Sequence, residues 1–217
     1  MVETRPDFRV RAAQPCDIPA LMRLKRLLAE GEDSGHAVRA SEADWLRDGF
    51  GPEAGFTAFV AETAGNAGTG NPIVANPIVG MTTCSRRKIT GWNGPVIFLQ
   101  DLFVEPSHRE HGIARALMAR VAAYADKLGS PIVELTVRAD NPARNFYQRT
   151  GFAPLPQCLT YVLAGPALAA LAAQDRTLAL VPKSARRSSE KMPEFRSDSI
   201  GTDSSCRAAA ARSSMRR

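Results

Sequence analysis

The stretch that most constrains the fold is residues 96–128, VIFLQDLFVEPSHREHGIARALMARVAAYADKL. Val96, Phe98, Leu102 and Val104 are apolar at alternate positions, and Ile97 and Leu99 fill much of the opposite face. A run apolar on both faces predicts a strand inside a sheet rather than at its edge. Pro106 ends that strand, because proline has no N–H to give to a ladder. A helical period then takes over: Ile113, Leu117, Val121, Tyr124 and Leu128 share one stripe, and Gly129 is placed to stop the helix.

Between strand and helix lies HREHGIAR, residues 108–115. The first N–H groups of a helix have no internal partner, and the helix dipole favours negative charge there. Gly112 has no side chain to hold a ligand away, Ala114 has almost none, and Arg109 and Arg115 add positive charge. Such a turn suits a pyrophosphate held on backbone amides. On its own, a Gly-containing turn of this kind is equally a structural helix start.

Arg109-x-x-Gly112-x-Ala114 resembles the acyl-CoA signature of the GNAT superfamily of N-acetyltransferases, Arg/Gln-x-x-Gly-x-Gly/Ala. Residues 131–152, PIVELTVRADNPARNFYQRTGF, resemble the second motif of that family, a strand and then a helix ending in Phe-Tyr-x-x-x-Gly-Phe. The two motifs stand in the family's order and at about its spacing, and the resemblance covers roughly residues 8–164. It implies an α/β fold: a mixed, twisted sheet of about six to seven strands, splayed at the central strand and flanked by about four helices. Acetyl-CoA is implied as co-substrate, with no metal. By motif position the backbone of Leu102, Phe103 and Val104 would pair with the pantetheine arm, while their side chains pack the core. Arg109, Glu110, His111, Gly112, Ile113, Ala114 and Arg115 would hold the pyrophosphate, and Asp140, Asn141 and Asn145 would lie along the CoA arm.

Acyl transfer from a thioester to an amine needs apposition, a proton lost by the amine and a proton gained by the leaving thiolate. Tyr147 falls on the motif tyrosine and resembles the general acid that reprotonates the CoA sulfur; a phenol with a pKa of about 10 is protonated at neutral pH. Outside such a motif, a tyrosine beside Phe146 on a helix is core more often than catalytic. Gln100-Asp101-Leu102-Phe103-Val104 resembles the Leu-Glu-Asp-Phe/Leu-Phe/Tyr-Val strand of diamine and related small-amine acetyltransferases. There the Glu is the proposed base; here that position is Gln100, which cannot take a proton. Asp101 is the nearest carboxylate, yet adjacent strand residues point to opposite faces. Either Asp101 reaches the site at a bulge, or water relays the proton, or Asp101 is only a structural carboxylate and catalysis is compromised. Two further departures stand in the motifs. Glu110 replaces the common Gly of the pyrophosphate turn, and Asp140 replaces an Asn, with Asn141 following at once.

Charge locates the rest of the chain. Residues 1–182 hold 19 Lys+Arg against 18 Asp+Glu, whereas residues 183–217 hold nine against four. The basicity belongs to a Ser/Arg-rich C-terminal segment that lacks the apolar content to order itself. A nucleic-acid role for the nearly neutral body has no electrostatic support. No apolar run reaches the 18 or so residues of a membrane span. Four scattered cysteines without a CxxC pair read as free thiols in a cytoplasmic setting rather than a disulfide frame or metal site.

The organisation expected is therefore a domain over 1–165 with a flexible insertion at 63–77, a short helical extension at 166–182 and a disordered basic tail at 183–217. Within the domain, strands are expected at 7–12, 56–62, 78–87, 96–104, 131–137 and 157–163. Helices are expected from Asp17 to Glu30, after a Ser41–Asp44 capping box, at 113–128, from Pro142 to Gly151, and at 167–173. Glu30, Glu32, Asp33 and Asp101 could draw a cationic amine, and Trp45 and Trp92 could line its pocket. The leading expectation is transfer of an acetyl group to a small-molecule amine, with a homodimer left open. Acetylation of a protein N-terminus or lysine, and a non-catalytic acyl-CoA sensor, are the competing readings.

Overall fold

The computed structural model describes residues 8–31, 38–63, 77–91 and 93–174. The expected flexible insertion at 63–77 falls mostly outside these residues, as do Glu32, Asp33, Trp92 and the basic tail. Two compact units divide the chain, Met1–Leu135 and Thr136–Arg217.

The first unit is a five-stranded sheet in the order β1 (Phe8–Ala12), β2 (Thr57–Thr63), β3 (Ile78–Lys88), β4 (Pro95–Val104), β5 (Val133–Leu135). Neighbours run antiparallel up to β4; β5 runs parallel to β4 and is reached through helix α3 (Ile113–Lys127). Helices α1 (Ile18–Gly31) and α2 (Glu42–Phe50) lie between β1 and β2 in the chain. Both faces of the sheet are covered. Ile18, Leu21, Met22 and Leu24 of α1 and Trp45 of α2 form one buried cluster with Ala58, Val60, Met81 and Phe103. On the other face, Ile113, Leu117, Met118, Val121 and Ala125 of α3 are buried. There α3 lies so close to β3 that a Cβ on Gly80 would stand 3.2 Å from Ile113 Cγ2. This double cover is why β3 is buried without alternation from Ile78 to Cys84. Each fully buried Leu or Ile contributes about 1.5–3 kcal/mol, so the sheet is held mainly by these contacts.

Local chemistry sets the boundaries. Ser41 and Asp44 form the expected capping box: Ser41 Oγ accepts from the Asp44 N–H at 3.2 Å, and the Asp44 carboxylate accepts from the Ser41 N–H at 3.0 Å. The Ser41 N–H and the Ser41 hydroxyl, which donates to the same carboxylate at 2.8 Å, together with Arg47 hold the Asp44 carboxyl down at about 2. Helix α3 ends on Gly129 at φ +65°, with Gly129 N–H on the Asp126 carbonyl and Ser130 N–H on that of Ala125. That paired bonding pattern satisfies the last carbonyls and needs a left-handed residue. Near the start of α1, buried Asp17 (6% exposed) accepts from Arg11 at 2.6 and 3.0 Å and from the Gln14 N–H at 2.7 Å. The Arg11 guanidinium holds the Asp17 carboxyl well below the usual carboxylate range.

The second unit contains α4 (Ala143–Arg149) and α5 (Gly165–Ala172). Among the described residues the sheet has five strands rather than six to seven. The strand expected over 131–137 keeps ladder bonds only at Val133–Leu135. The one expected over 157–163 does not form: alternation supplies a pattern, but a strand also needs a partner ladder. Leu159 and Tyr161 there are 64% and 86% exposed.

Candidate active site

Strand β4 carries the first part of the site. Its pairing with β5 covers Ile97↔Val133, Phe98↔Glu134 and Leu99↔Leu135, and stops there. Residues 101–104 keep β3 on one side and have no strand partner on the other among the described residues. Strand β4 thus has an unpaired edge, among the described residues, where the motif places Leu102, Phe103 and Val104. Phe103 and Val104 are buried, so side chains pack while backbone N–H and C=O groups line the open edge.

A bulge interrupts β4 at the same place. Cys84 is opposite Leu99 but Thr83 is opposite Asp101, which leaves Gln100 as the extra residue. In a regular strand Gln100 and Asp101 would face opposite ways. With the bulge they line one cavity of about 520 Å³, together with Lys25, Trp45, Phe56, Thr83, Phe98 and residues 38–40. Asp101 is gripped there: Lys25 Nζ donates to Oδ1, and Thr83 Oγ1 donates to Oδ2 at 2.7 Å. Trp45 stacks edge-on against Phe56 with ring centroids 5.2 Å apart, giving the cavity an aromatic wall. Gly49 makes room for that wall, since a Cβ there would stand 2.5 Å from Phe56 Cζ.

Of the residues expected near an acceptor, Asp101 and Trp45 come together; Glu30 is exposed and absent from the lining. Lys25, Thr83, Phe56 and Phe98 were not anticipated. The signal for Lys25 was its place on the buried stripe of α1, one turn from Leu21 and Met22. A lysine on an inward stripe calls for a buried anion. Cys84, opposite Leu99 beside the bulge, is buried, and burial pushes its thiol up to about 11.

The turn follows β4. A short 3₁₀ segment, Pro106–His108, leads into it, and Gly112 caps α3 at φ +80°. A Cβ on Gly112 would meet nothing within 4 Å, so the space beside it is open. Arg109 folds back, its Nε donating to the Val104 carbonyl at 3.0 Å, which ties the turn to the strand end. His111 Nδ1 donates to the Arg109 carbonyl at 2.6 Å. Glu110 has φ +67°, the left-handed conformation that glycine adopts at little cost, and its side chain is exposed. Ile113 is buried and Arg115 exposed, so of this pair only the arginine faces solvent.

The remaining candidates lie in the second unit. Asn141 Oδ1 accepts from the Ala143 N–H at 2.8 Å and so opens α4. Arg138 grips Asp140 through two bonds of 3.0 and 2.8 Å, which lowers the Asp140 carboxyl pKa. Helix α4 ends like α3: Gly151 has φ +97°, its N–H bonds the Gln148 carbonyl, and Phe152 N–H bonds that of Tyr147. This cap brings the residue after the glycine against the one three back from the helix end. Accordingly the Tyr147 and Phe152 rings pack edge-on at 5.8 Å. The Phe-Tyr-x-x-x-Gly-Phe pattern is thus a helix cap that fixes the Tyr147 ring; Asn145 is exposed on the same helix.

The family model described as acetyltransferase (GNAT) family matches residues 21–152. The chain belongs to this family. A GNAT member is an enzyme of the acyltransferase class, an N-acetyltransferase. Thialysine N-epsilon-acetyltransferase of Mus musculus is 31% identical over 170 residues, covering 76% of this chain and 96% of that one. An aminoglycoside acetyltransferase from an uncultured soil metagenomic sample, solved with sisomicin, shares the fold at TM-score 0.59 and 18% identity, over 73% of this chain and 97% of that one. An aminoglycoside N-acetyltransferase solved with CoA shares it at TM-score 0.57 and 21% identity, over 75% and 98%. Among the described residues no helix is long and apolar enough to cross a membrane, and no cluster of three metal-ligating side chains occurs.

Proposed function

We propose that this GNAT enzyme moves an acetyl group from acetyl-CoA to a primary amine of a small molecule by direct transfer. The observation that carries the reading is the end of β4–β5 pairing at Leu99, which opens the strand edge just before the Gly112 turn. Support for the acceptor class comes from the thialysine relative and from the fold shared with the aminoglycoside enzymes. Acetyl-CoA supplies the activated acetyl group as a thioester.

The chain's own residues divide the work. The N–H groups at the start of α3, with Arg109 and Arg115, would bind the pyrophosphate, and open space at Gly112 lets it approach. Backbone groups of Leu102, Phe103 and Val104 would pair with the pantetheine arm, and one N–H there would stabilise the oxyanion. Asp140, Asn141 and Asn145 take supporting roles along the arm by motif position. Asp101 orients the acceptor and takes up the amine proton, directly or through water. The amine nitrogen bonds to the acetyl carbon, the C–S bond breaks, and Tyr147 hands its proton to the thiolate. Cys84 is buried beside the bulge, and burial pushes its thiol up to about 11, so it is a poor nucleophile for an acyl-enzyme at neutral pH.

One observation favours a second reading. Asp101 already has Lys25 and Thr83 as partners, as a structural carboxylate in a non-catalytic acyl-CoA sensor would. CoA release over a panel of small amines and a peptide panel separates the three readings. Release with small amines is expected; release with peptides alone would make the chain a protein acetyltransferase, and none with any acceptor would make it a sensor.

A further inference from the structure

Among the described residues lining its cavity, Asp101 is the only carboxylate, and both its oxygens are engaged. Lys25 Nζ donates to Oδ1, and Thr83 Oγ1 donates to Oδ2 at 2.7 Å. Lys25 itself lines the cavity. Its main chain is fixed, because Leu21 and Leu24 of the same helix are fully buried. Its side chain is 32% exposed against 11% for Asp101, so the lysine has room to turn while the carboxylate stays. A four-carbon stem leaves the ammonium mobile within that reach. Asp101 directly precedes Leu102, Phe103 and Val104, whose unpaired edge is the proposed seat of the acyl arm. A primary amine of this chain thus stands on the carboxylate proposed to take the proton from an acceptor.

From this geometry we infer that Lys25 is itself an acetyl acceptor: when no small amine is present, the enzyme acetylates Lys25 Nζ within its own chain. The inference rests on the reading of this cavity as the acceptor site. Nζ becomes a nucleophile once one proton has passed to Asp101. The Nζ–C bond forms and the thioester C–S bond breaks. Of the two protons that the ammonium sheds, one leaves to solvent through Asp101 and the other ends on the CoA sulfur. The products are acetylated Lys25 and free CoA. Because Nζ is tethered, its effective concentration at the thioester is on the order of millimolar, and a free amine wins only when it is abundant. Acetylation removes the ammonium and with it the ion pair to Asp101. Uncatalysed reaction with acetyl-CoA has the opposite preference. It takes the most accessible amines, and Lys88 and Lys127 are exposed whereas Lys25 is half-buried and held as an ammonium.

The test incubates the full-length protein with acetyl-CoA and no added amine, and follows acetylation by intact mass and peptide mapping. Lys25 should take up one acetyl group per chain at least about tenfold faster than Lys88 or Lys127, with a rate constant independent of protein concentration. The same protein unfolded in urea should lose that preference. Lys25→Arg keeps the charge but offers no primary amine, so the fast phase should vanish while thermal melts show an intact fold. Lys25 modified no faster than Lys88 and Lys127, or a preference that persists in urea, overturns the inference. If small amines are acetylated in the same preparation, the acetyltransferase reading survives that result. A rate constant that rises with protein concentration overturns the intrachain step. Absence of acetyl transfer to Lys25 and to every small amine removes the acceptor-site reading, and this inference falls with it.

Discussion

The 109–115 turn and the Asp101 cavity flank the same short length of β4, yet they are built by different means. The turn is made of consecutive residues. Its parts are a left-handed Gly112, a helix start and an arginine folded back onto Val104 five residues before it. The cavity gathers side chains from α1, α2, β3 and β4, and its key pair, Lys25 and Asp101, is 76 residues apart. A ligand bound through backbone amides needs only local geometry, whereas choosing an acceptor needs charges brought together by the whole sheet. If this division holds, variants in the turn change acetyl-CoA affinity, and variants in the cavity change acceptor selection.

The largest expected effect lies outside both regions and checks that proton delivery is separate from either. Tyr147→Phe keeps the ring packed against Phe152 and removes only the hydroxyl. Positioned acids contribute about 10²–10⁴-fold, or roughly 3–5 kcal/mol of barrier, so kcat should fall by that factor with acetyl-CoA affinity nearly unchanged. Turnover within about threefold of wild type would remove Tyr147 as the acid.

Loss of the sheet itself must be told apart from loss of either region, and Arg11 supplies that control. Arg11→Met leaves the Asp17 carboxylate buried without its cation, which should cost about 3 kcal/mol at pH 7. The pH dependence has a definite sign. Because the folded Asp17 pKa is lowered, its stabilisation is complete above the unfolded value near 3.9 and is lost as pH falls through the folded value. Urea titrations should therefore show the gap between wild type and variant shrinking toward pH 3. A constant gap would mean that Arg11 acts by packing.

Within the turn, Gly112→Glu puts a side chain into open space at φ +80° and adds a like charge to the pyrophosphate. Calorimetry should show at least about a hundredfold loss of acetyl-CoA affinity, near 2.7 kcal/mol, in a protein that still melts cooperatively. The smallest effect comes from Glu110→Gly. It relieves a left-handed glutamate and removes a negative charge, so affinity should rise about three- to tenfold at low salt and less at high salt. A fall in affinity would mean that the Glu110 side chain helps to hold the ligand.

The same contrast explains what could be read from the sequence. The 96–128 stretch gives β4 and α3 within a residue or two, and the Ser41–Asp44 box and the glycines at 129 and 151 stand at the helix ends expected of them. All of these are set by neighbours along the chain. The bulge at Gln100 was one of three alternatives in the sequence, because its register is decided by the facing strand. The Lys25–Asp101 pair was invisible for the same reason. Residues 157–163 show the converse error, where a strand-like pattern found no ladder.

The most direct test of the central claim is release of CoA from acetyl-CoA by the full-length protein in the presence of small primary amines. Direct transfer predicts release that saturates with amine, exceeds background thioester hydrolysis and yields one acetylated amine per CoA. Tight acetyl-CoA binding with no amine-dependent release would contradict it, and would make the unpaired edge of β4 and the Gly112 turn the parts of a binding protein.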